Sequence, residues 1–481
     1  MKLQILTVCG DTRKIPSAAT TNLRAALHGA VVTPGDPDYD AARSIWNAMV
    51  DRRPGLIIQA ADAADVAHAV NFARDHRAVL AVRGGGHNIA GSAVCEGGVT
   101  LDLSRMRSVQ VDPTARRARV AGGALLADVD QATQAFGLAV PVGINSTTGV
   151  AGLTLGGGYG WTSRKLGLAI DNLASVDIVT ADGRLRRADA EEHPDLFWAL
   201  RGGSGNFGVV TQFDFRLHEL KPQVVAGMLI YPMEQAPALL QQFRDLLASA
   251  PDELTCWPIL RKAPPVAFIP QAWHGKEVFI ISLCHCGSIA DGQGTVAPFR
   301  ALGRPIVDTI GPRDFVAWQC AADGLLEPGF RNYWKSHDLM DLTDADWRVM
   351  VDFARRLPSA DSYVVIAHVG GEVSRIADDT AAFSRRTVRF IVSVHARWHD
   401  QAEDADCIAW ARGLFDALSP RATGTVYVNY MSGDEAERVR GAYGTSYDRL
   451  AEIKDRYDPE NLFRHNQNIG AALPGTASHR A

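Results

Sequence analysis

The run Ala78-Val79-Leu80-Ala81-Val82-Arg83-Gly84-Gly85-Gly86-His87-Asn88 decides how the first half of this chain is read. Its apolar residues predict a buried strand, and three glycines follow with no side chain between them. Without Cβ atoms, successive backbone N–H groups can converge on an anion. A tight turn would explain the glycines alone. The histidine planted directly after them, with Gly91 and Ser92 close behind, points to a ligand cradle with a functional imidazole.

Upstream of this run, residues 55–59 read as a strand, and Asp62 opens a helix through Val70 and Phe72 with apolar positions three to four apart. Downstream, Leu101 and Leu103, Val109 and Val111, and Ala118 and Val120 alternate in short strands. Gly122-Gly123-Ala124 leads into a helix over 125–136. The strand at 174–180 closes in the turn Ala181-Asp182-Gly183. Strands and helices are mixed rather than strictly alternating, which predicts α+β subdomains over one doubly wound sheet.

A second glycine-rich segment runs from Gly149 through Gly152 to Gly156-Gly157-Gly158-Tyr159-Gly160. It lacks the Gly-x-x-x-x-Gly-Lys-Ser/Thr of a P-loop. A dinucleotide fingerprint would need a preceding strand and a carboxylate some 20 residues on. Here the preceding residues are polar and Asp171 comes too soon. Two cradles in one chain imply a single long ligand with an extended pyrophosphate, lying between two subdomains.

Beyond about Leu217 the texture changes. Strands are expected at 224–231, 277–284, 363–369 and 389–398, with amphipathic helices at 236–250, 344–357 and 402–418. This predicts an antiparallel sheet with helices on one face, leaving the other free to roof a site. Within 389–398, Ile391, Ser393, His395 and Arg397 share a face, so His395 and Arg397 are expected to look into a pocket; a solvent-facing pair is the alternative. Lys335 and His337 are weaker candidates of the same kind. Residues 425–430 read as another strand, 435–455 as a charged helix, and 475–481 as a frayed end.

The 481 residues predict two or three domains. Hydrophobic residues at 47% and charged residues at 21% exclude a disordered chain. Lys+Arg 49 against Asp+Glu 54 gives a net charge of -5, which supplies no basic surplus for nucleic acid. No membrane-length apolar run and no secretory signal is visible. Seven scattered cysteines predict free thiols in a reducing compartment, the cytoplasm. Cys284-His285-Cys286 has the wrong spacing for a structural zinc site and lies in a strand-like run, so no metal is expected.

The order of several strings carries a more specific message. Arg83-Gly84-Gly85-Gly86-His87, Leu101-Asp102-Leu103-Ser104 and Gly156-Gly157-Gly158-Tyr159-Gly160 are followed by Arg164-Lys165-Leu166-Gly167-Leu168-Ala169-Ile170-Asp171-Asn172. Then come Arg201-Gly202-Gly203-Ser204-Gly205-Asn206-Phe207-Gly208 and Tyr457-Asp458-Pro459-Glu460-Asn461-Leu462-Phe463-Arg464. Together, over residues 38–469, they resemble the berberine bridge enzyme-like branch of the vanillyl-alcohol oxidase, PCMH-type flavoproteins.

The resemblance implies an α+β, two-domain fold. Residues 1–216, rejoined by 432–481, would form the FAD-binding domain of two α+β subdomains. Residues 217–431 would form the substrate domain, an antiparallel sheet covered by helices. It implies FAD bonded through its 8α-methyl to His87, which anchors the cofactor and raises its potential. The second, cysteine-borne attachment of many members falls on Asn145, so single attachment is expected. Thr148 falls where oxygen access is lined.

The FAD contacts implied are Arg83, Gly84, Gly85, Gly86, His87, Asn88, Gly91, Ser92, Leu103, Gly149, Gly152, Gly157, Gly158, Tyr159, Gly160, Asn172, Asn429, Asn466 and Asn468. Tyr430, from the family's Tyr-x-Asn-Tyr string, would be the base, with a cation or the flavin assisting a phenol of ordinary pKa about 10. Members with a carboxylate base carry it where this chain has Ile391. His395 is a second acid/base or substrate contact. The activity implied is hydride removal from an alcohol, hemiacetal or amine carbon of a small molecule, with O2 reduced to H2O2, by a monomer or homodimer. The alternatives are a dehydrogenase with another acceptor, or a flavin-bearing binding protein without turnover.

Overall fold

The computed structural model describes residues 3–470, so the expected frayed end at 475–481 lies outside the described residues. Three sheets position the site. The first contains β1 (Ala30–Val32), β2 (Leu56–Gln59), β3 (Leu80–Arg83) and β4 (Val99–Asp102) in the order β1-β2-β4-β3. β2 and β3 both run parallel to β4. The crossover between β2 and β3 is the helix α1 (Ala63–Asp75), capped by the Asp62 carboxylate accepting from the Ala64 and Asp65 N–H groups. The strand ending at Arg83 therefore delivers the glycine run at the carboxyl edge of a parallel pair, where α/β ligand sites collect.

The second sheet contains β5 (Val109–Asp112), β6 (Arg117–Ala121), β7 (Leu173–Val179), β8 (Leu185–Asp189) and β9 (Val209–Arg216), in the order β8-β7-β9-β6-β5. All of its pairings are antiparallel. The third sheet begins after Arg216. Its strands are β10 (Gln223–Pro232), β11 (Leu254–Lys262), β12 (Glu277–His285), β13 (Val307–Asp308), β14 (Gly311–Asp314), β15 (Arg331–Leu339), β16 (Tyr363–His368) and β17 (Phe390–Trp398). The order is β13-β10-β12-β11-β16-β17-β15, with β14 also on β10.

Period-two alternation sorts this third sheet into two faces. Leu229, Leu260, Ile281, Ile366 and Val394 pack against helices Ala236–Ala248, Asp344–Ala354 and Asp404–Leu418, which contribute Phe243, Trp347 and Leu414. Each such buried side chain contributes roughly 1.5–3 kcal/mol. The opposite face, with Ile230, Ile259, Ile280, Val365 and His395, carries none of these three helices and walls a cavity.

Two elements differ from the sequence expectation. Residues 425–430 do not form a strand. Val428–Tyr430 is a 3-10 turn closed by the Tyr430 N–H on the Tyr427 carbonyl at 2.9 Å. The side chains of Tyr427 and Asn429 bind backbone of the second glycine segment, and those bonds outweigh the strand propensity of the run. The charged helix at 435–455 is broken: Val439–Tyr443 and Tyr447–Tyr457 are separated at Gly444, whose φ of +52° ends the first. The strands β11 and β15 were not anticipated. Pro258 argues against a central strand, yet on the β16 side the ladder covers only Ile259–Arg261, so its missing N–H leaves no bond unmade there.

Cys284 and Cys256 are buried in the strand cores. The Cys286 thiol, also buried, donates to the Glu253 carbonyl at 3.3 Å. All seven cysteines are free. Among the described residues no helix is long and apolar enough to cross a membrane.

Candidate active site

The bare face of the third sheet, the first glycine run, the second glycine segment and the returning C-terminal stretch enclose one cavity of about 820 Å³. That lies in the upper part of the usual ligand-site range of roughly 300–1,000 Å³. Gly84, Gly85, Gly86, His87, Asn88 and Ser92 line it from the first run. The Ser92 N–H donates to the Asn88 side-chain oxygen at 3.0 Å, which fixes the loop after the histidine.

His87 is half-buried. Its Nε2 shares a hydrogen bond of 2.9 Å with the Thr147 hydroxyl, and its ring stacks on Trp46 at 5.1 Å between centroids. Burial pushes its pKa down to about 4. The imidazole is therefore neutral at ordinary pH, with a nitrogen lone pair available. Thr147 is held in turn by the Asn145 side-chain oxygen, which accepts from its N–H at 3.1 Å and its hydroxyl at 2.8 Å. Asn145 and Thr148 both lie on the cavity wall.

From the second segment Gly149, Gly152 and Tyr159 reach the cavity. A Cβ on Gly152 would meet nothing within 4 Å, so this backbone is bare toward the open space. Gly157, Gly158 and Gly160 are not on the wall. Their missing side chains admit Phe383, the Ala169 methyl and the Val142 carbonyl respectively, so these glycines serve close packing rather than a phosphate cradle.

Four other expected contacts are also spent elsewhere. The Asn172 amide donates to the Leu166 and Leu168 carbonyls, both at 2.9 Å. Gly91 makes a turn against Val50, with φ +76°. Leu103 is a core residue, and Arg83 donates to the Ala42 carbonyl at 2.6 Å. Asn466 lines the cavity with its side-chain oxygen buried and unpartnered, whereas Asn468 does not reach the wall.

Tyr430 and Asn429 both line the cavity, placed by the 3-10 turn. The Asn429 amide donates to the Leu153 carbonyl at 3.1 Å and to the Tyr427 hydroxyl at 2.9 Å, and that hydroxyl accepts from the Gly158 N–H at 3.0 Å. The Tyr159 hydroxyl donates to the Tyr430 oxygen at 2.9 Å. Burial raises the Tyr430 pKa above its ordinary value, and the Tyr159 bond opposes this. Of the two aids expected for Tyr430, a cation or the flavin, no cation is among the groups that shift it in the described residues.

His395 stands 5.9 Å from the Tyr430 ring and 4.0 Å from Trp334, centroid to centroid. Its Nε2 shares a bond of 2.7 Å with the Ser393 hydroxyl, while Nδ1 is buried without a partner. Burial drives its pKa down to about 3, so the ring is neutral. Arg397, expected to share the pocket, does not reach it. Its guanidinium lies over Phe330 at 3.6 Å and donates to the Glu327 carbonyl at 2.7 Å. Lys335 bonds Asp434 at 3.0 Å and His337 the Phe415 carbonyl at 2.9 Å, both away from the cavity.

Sequence reasoning missed the aromatic wall formed by Trp46, Trp161, Trp257, Trp318, Trp334 and Tyr363, and the two arginines Arg261 and Arg313. Only alternation within a correctly placed β11 would have found Trp257 and Arg261.

The chain matches the models for the FAD binding domain over residues 54–189 and for the berberine and berberine-like region over residues 426–470. It is 32% identical over 460 residues to (R)-6-hydroxynicotine oxidase of Paenarthrobacter nicotinovorans, covering 92% of this chain and 97% of that protein. The chain belongs to the berberine bridge enzyme-like FAD-linked oxidases. The crystal structure of 6-hydroxy-D-nicotine oxidase from Arthrobacter nicotinovorans superposes with a TM-score of 0.82 at 30% identity, covering 92% of this chain and 98% of that one. Berberine bridge enzyme from Eschscholzia californica shares the fold, with a TM-score of 0.83 at 20% identity over 94% and 99% of the two chains. As a berberine bridge enzyme-like protein, this chain is an FAD-dependent oxidoreductase of the α+β, PCMH-type fold. The bare Gly152 backbone, the unpartnered Asn466 oxygen and a cavity of about 820 Å³ fit a long, polar-tailed cofactor.

Proposed function

We propose that the protein is an oxidase that carries FAD bonded to His87 and removes hydride from a small-molecule carbon bearing a hydroxyl or an amine. The observation that carries this reading is His87 itself. A neutral imidazole, bonded to Thr147 and backed by Trp46, opens onto the cavity where two glycine segments meet. Asn145, where relatives with two attachments carry cysteine, supports a single bond. We take residues 1–216 with 432–481 as the unit holding FAD and 217–431 as the unit holding substrate; the change of sheet after Arg216 supports the first boundary.

Bound here, FAD would accept the hydride and pass two electrons to O2, giving H2O2. Gly84 to Asn88, Gly149, Gly152 and Asn466 would hold it. The phenol of Tyr430 is too buried to rest as an anion. It serves as a hydrogen-bonding group that orients the substrate hydroxyl or amine, and it takes the proton only as the hydride departs. Tyr159 fixes the phenol's direction and eases the negative charge that develops on it. His395, neutral and with a free Nδ1, offers a second acceptor beside the same carbon. Thr148 leaves room at the wall for O2. The free thiols fit a cytoplasmic enzyme.

Acid-precipitated holoenzyme should stay yellow and His87→Ala should release its colour; a colourless native pellet would remove the covalent link. Anaerobic reduction followed by air separates oxidase from dehydrogenase, because reoxidation within seconds supports O2 as acceptor and sluggish recovery contradicts it.

A further inference from the structure

The substrate-facing side of the large sheet carries a charge that hydride transfer does not use. Arg261 stands near the end of Leu254–Lys262, whose alternate residues Trp257, Ile259 and Arg261 face the cavity. It is only 8% exposed. Its Nε donates to the Lys262 carbonyl at 3.0 Å, and the guanidinium sits 5.8 Å from the Tyr363 ring centroid. Among the described residues its two terminal nitrogens have no protein acceptor, and no carboxylate approaches within 4.0 Å.

The other arginine on the wall, Arg313, is differently placed. Its Nε donates to the Ala226 carbonyl at 3.0 Å and its Nη2 to the Thr309 carbonyl. Among the described residues no aspartate or glutamate lines the cavity, and Ile230, Val266, Ile269 and Ile280 share its wall with Arg261; Asp361 acts on the guanidinium only from beyond salt-bridge reach. A mostly buried guanidinium whose terminal N–H groups open onto a cavity with no salt-bridge partner is free to receive an anion, and its planar fork matches a carboxylate with two parallel bonds. Arg261 lies on the third sheet, away from the glycine segments assigned to FAD, so the cofactor does not account for it.

We propose that Arg261 anchors a carboxylate of the substrate, so that this enzyme acts on aromatic or alicyclic acids whose oxidised carbon lies toward Tyr430. The wall between the two is built of rings. Tyr430 neighbours His395 at 5.9 Å, His395 stacks on Tyr363 at 4.5 Å, and Tyr363 adjoins Arg261. A flat ring system lying along these residues presents its carbon at one end and its acid at the other. The inference rests on the reading that substrate occupies this cavity beside FAD.

Oxidised holoenzyme is titrated with benzoate, phenylacetate, 3-phenylpropionate and 4-phenylbutyrate and with the matching neutral amides, following the flavin absorption band. At least one acid should bind about tenfold or more tightly than its amide, the worth of a charge-assisted hydrogen bond. Arg261→Gln should erase that preference, and Arg261→Lys should keep part of it. If Arg261→Gln does not fold, the Lys variant must still weaken acid binding without weakening amide binding. No acid outbinding its amide overturns the proposal, as does a preference that survives in Arg261→Gln or vanishes instead in Arg313→Gln. The titration needs no turnover, so a missing covalent link or slow reaction with O2 leaves its outcome unaffected.

Discussion

Gly85 and Gly149 are packed backbone to backbone: a Cβ built on either would lie 2.2 Å from the amide nitrogen of the other. This contact joins two glycine segments that are far apart in sequence and brings His87 against Thr147. Gly85→Ala or Gly149→Ala therefore meets rigid backbone rather than a movable side chain. Each should cost about 1–3 kcal/mol as overpacking and release most of the bound flavin, read as the ratio of visible to ultraviolet absorbance. Gly294→Ala, in the helix Ile289–Arg300 with a Cβ that would meet nothing within 4 Å, should leave flavin binding unchanged and cost no stability.

The lowered pKa of His87 has a sign that can be tested. Its ring is protonated only near and below about pH 4, whereas an ordinary histidine is half-protonated near 6.5. Covalent incorporation of FAD into apoprotein needs the neutral ring, so its rate should stay flat from about pH 8 down to about pH 6. A fall centred near the ordinary value would mean that burial does not govern this imidazole.

Tyr430→Phe should lower kcat/KM by about 100-fold or more, at the lower end of acid–base contributions. Because burial raises the phenol above its ordinary value of about 10, its ionisation adds no limb below about pH 9. The variant should thus shift the level of the pH profile without changing its shape. Tyr159→Phe removes only the supporting bond and should cost about tenfold, with KM little changed.

Arg385 and Asp338 form a fully buried ion pair, and the same carboxylate accepts from the Thr425 hydroxyl at 2.6 Å, at the start of the segment bearing Tyr430. Arg385→Ala strands a buried charge and should destabilise by about 3–5 kcal/mol, seen as a lower Tm. Thr425→Val should cost about 1 kcal/mol while lowering turnover through the displaced turn.

The glycine run after Leu80–Arg83, the antiparallel third sheet with helices on one face, and the inward side of Phe390–Trp398 as far as His395, though not Arg397, were legible, because local periodicity dictates them. The turn at Val428–Tyr430 was not, since its backbone is set by Tyr427 and Asn429 reaching into a segment distant in sequence. The packing duty of Gly157, Gly158 and Gly160 was hidden for the same reason, as a glycine needed for a neighbour's side chain looks like one needed for a ligand. Arg261 went unseen because Pro258 disguised its strand. A buried charge announces itself only once its missing partner can be counted.

Mass spectrometry of the intact, denatured holoenzyme tests the central claim most directly. The polypeptide should carry the added mass of one FAD, and digestion should return it on the peptide containing His87. A chain at its bare mass, with all flavin in the supernatant, would contradict the account.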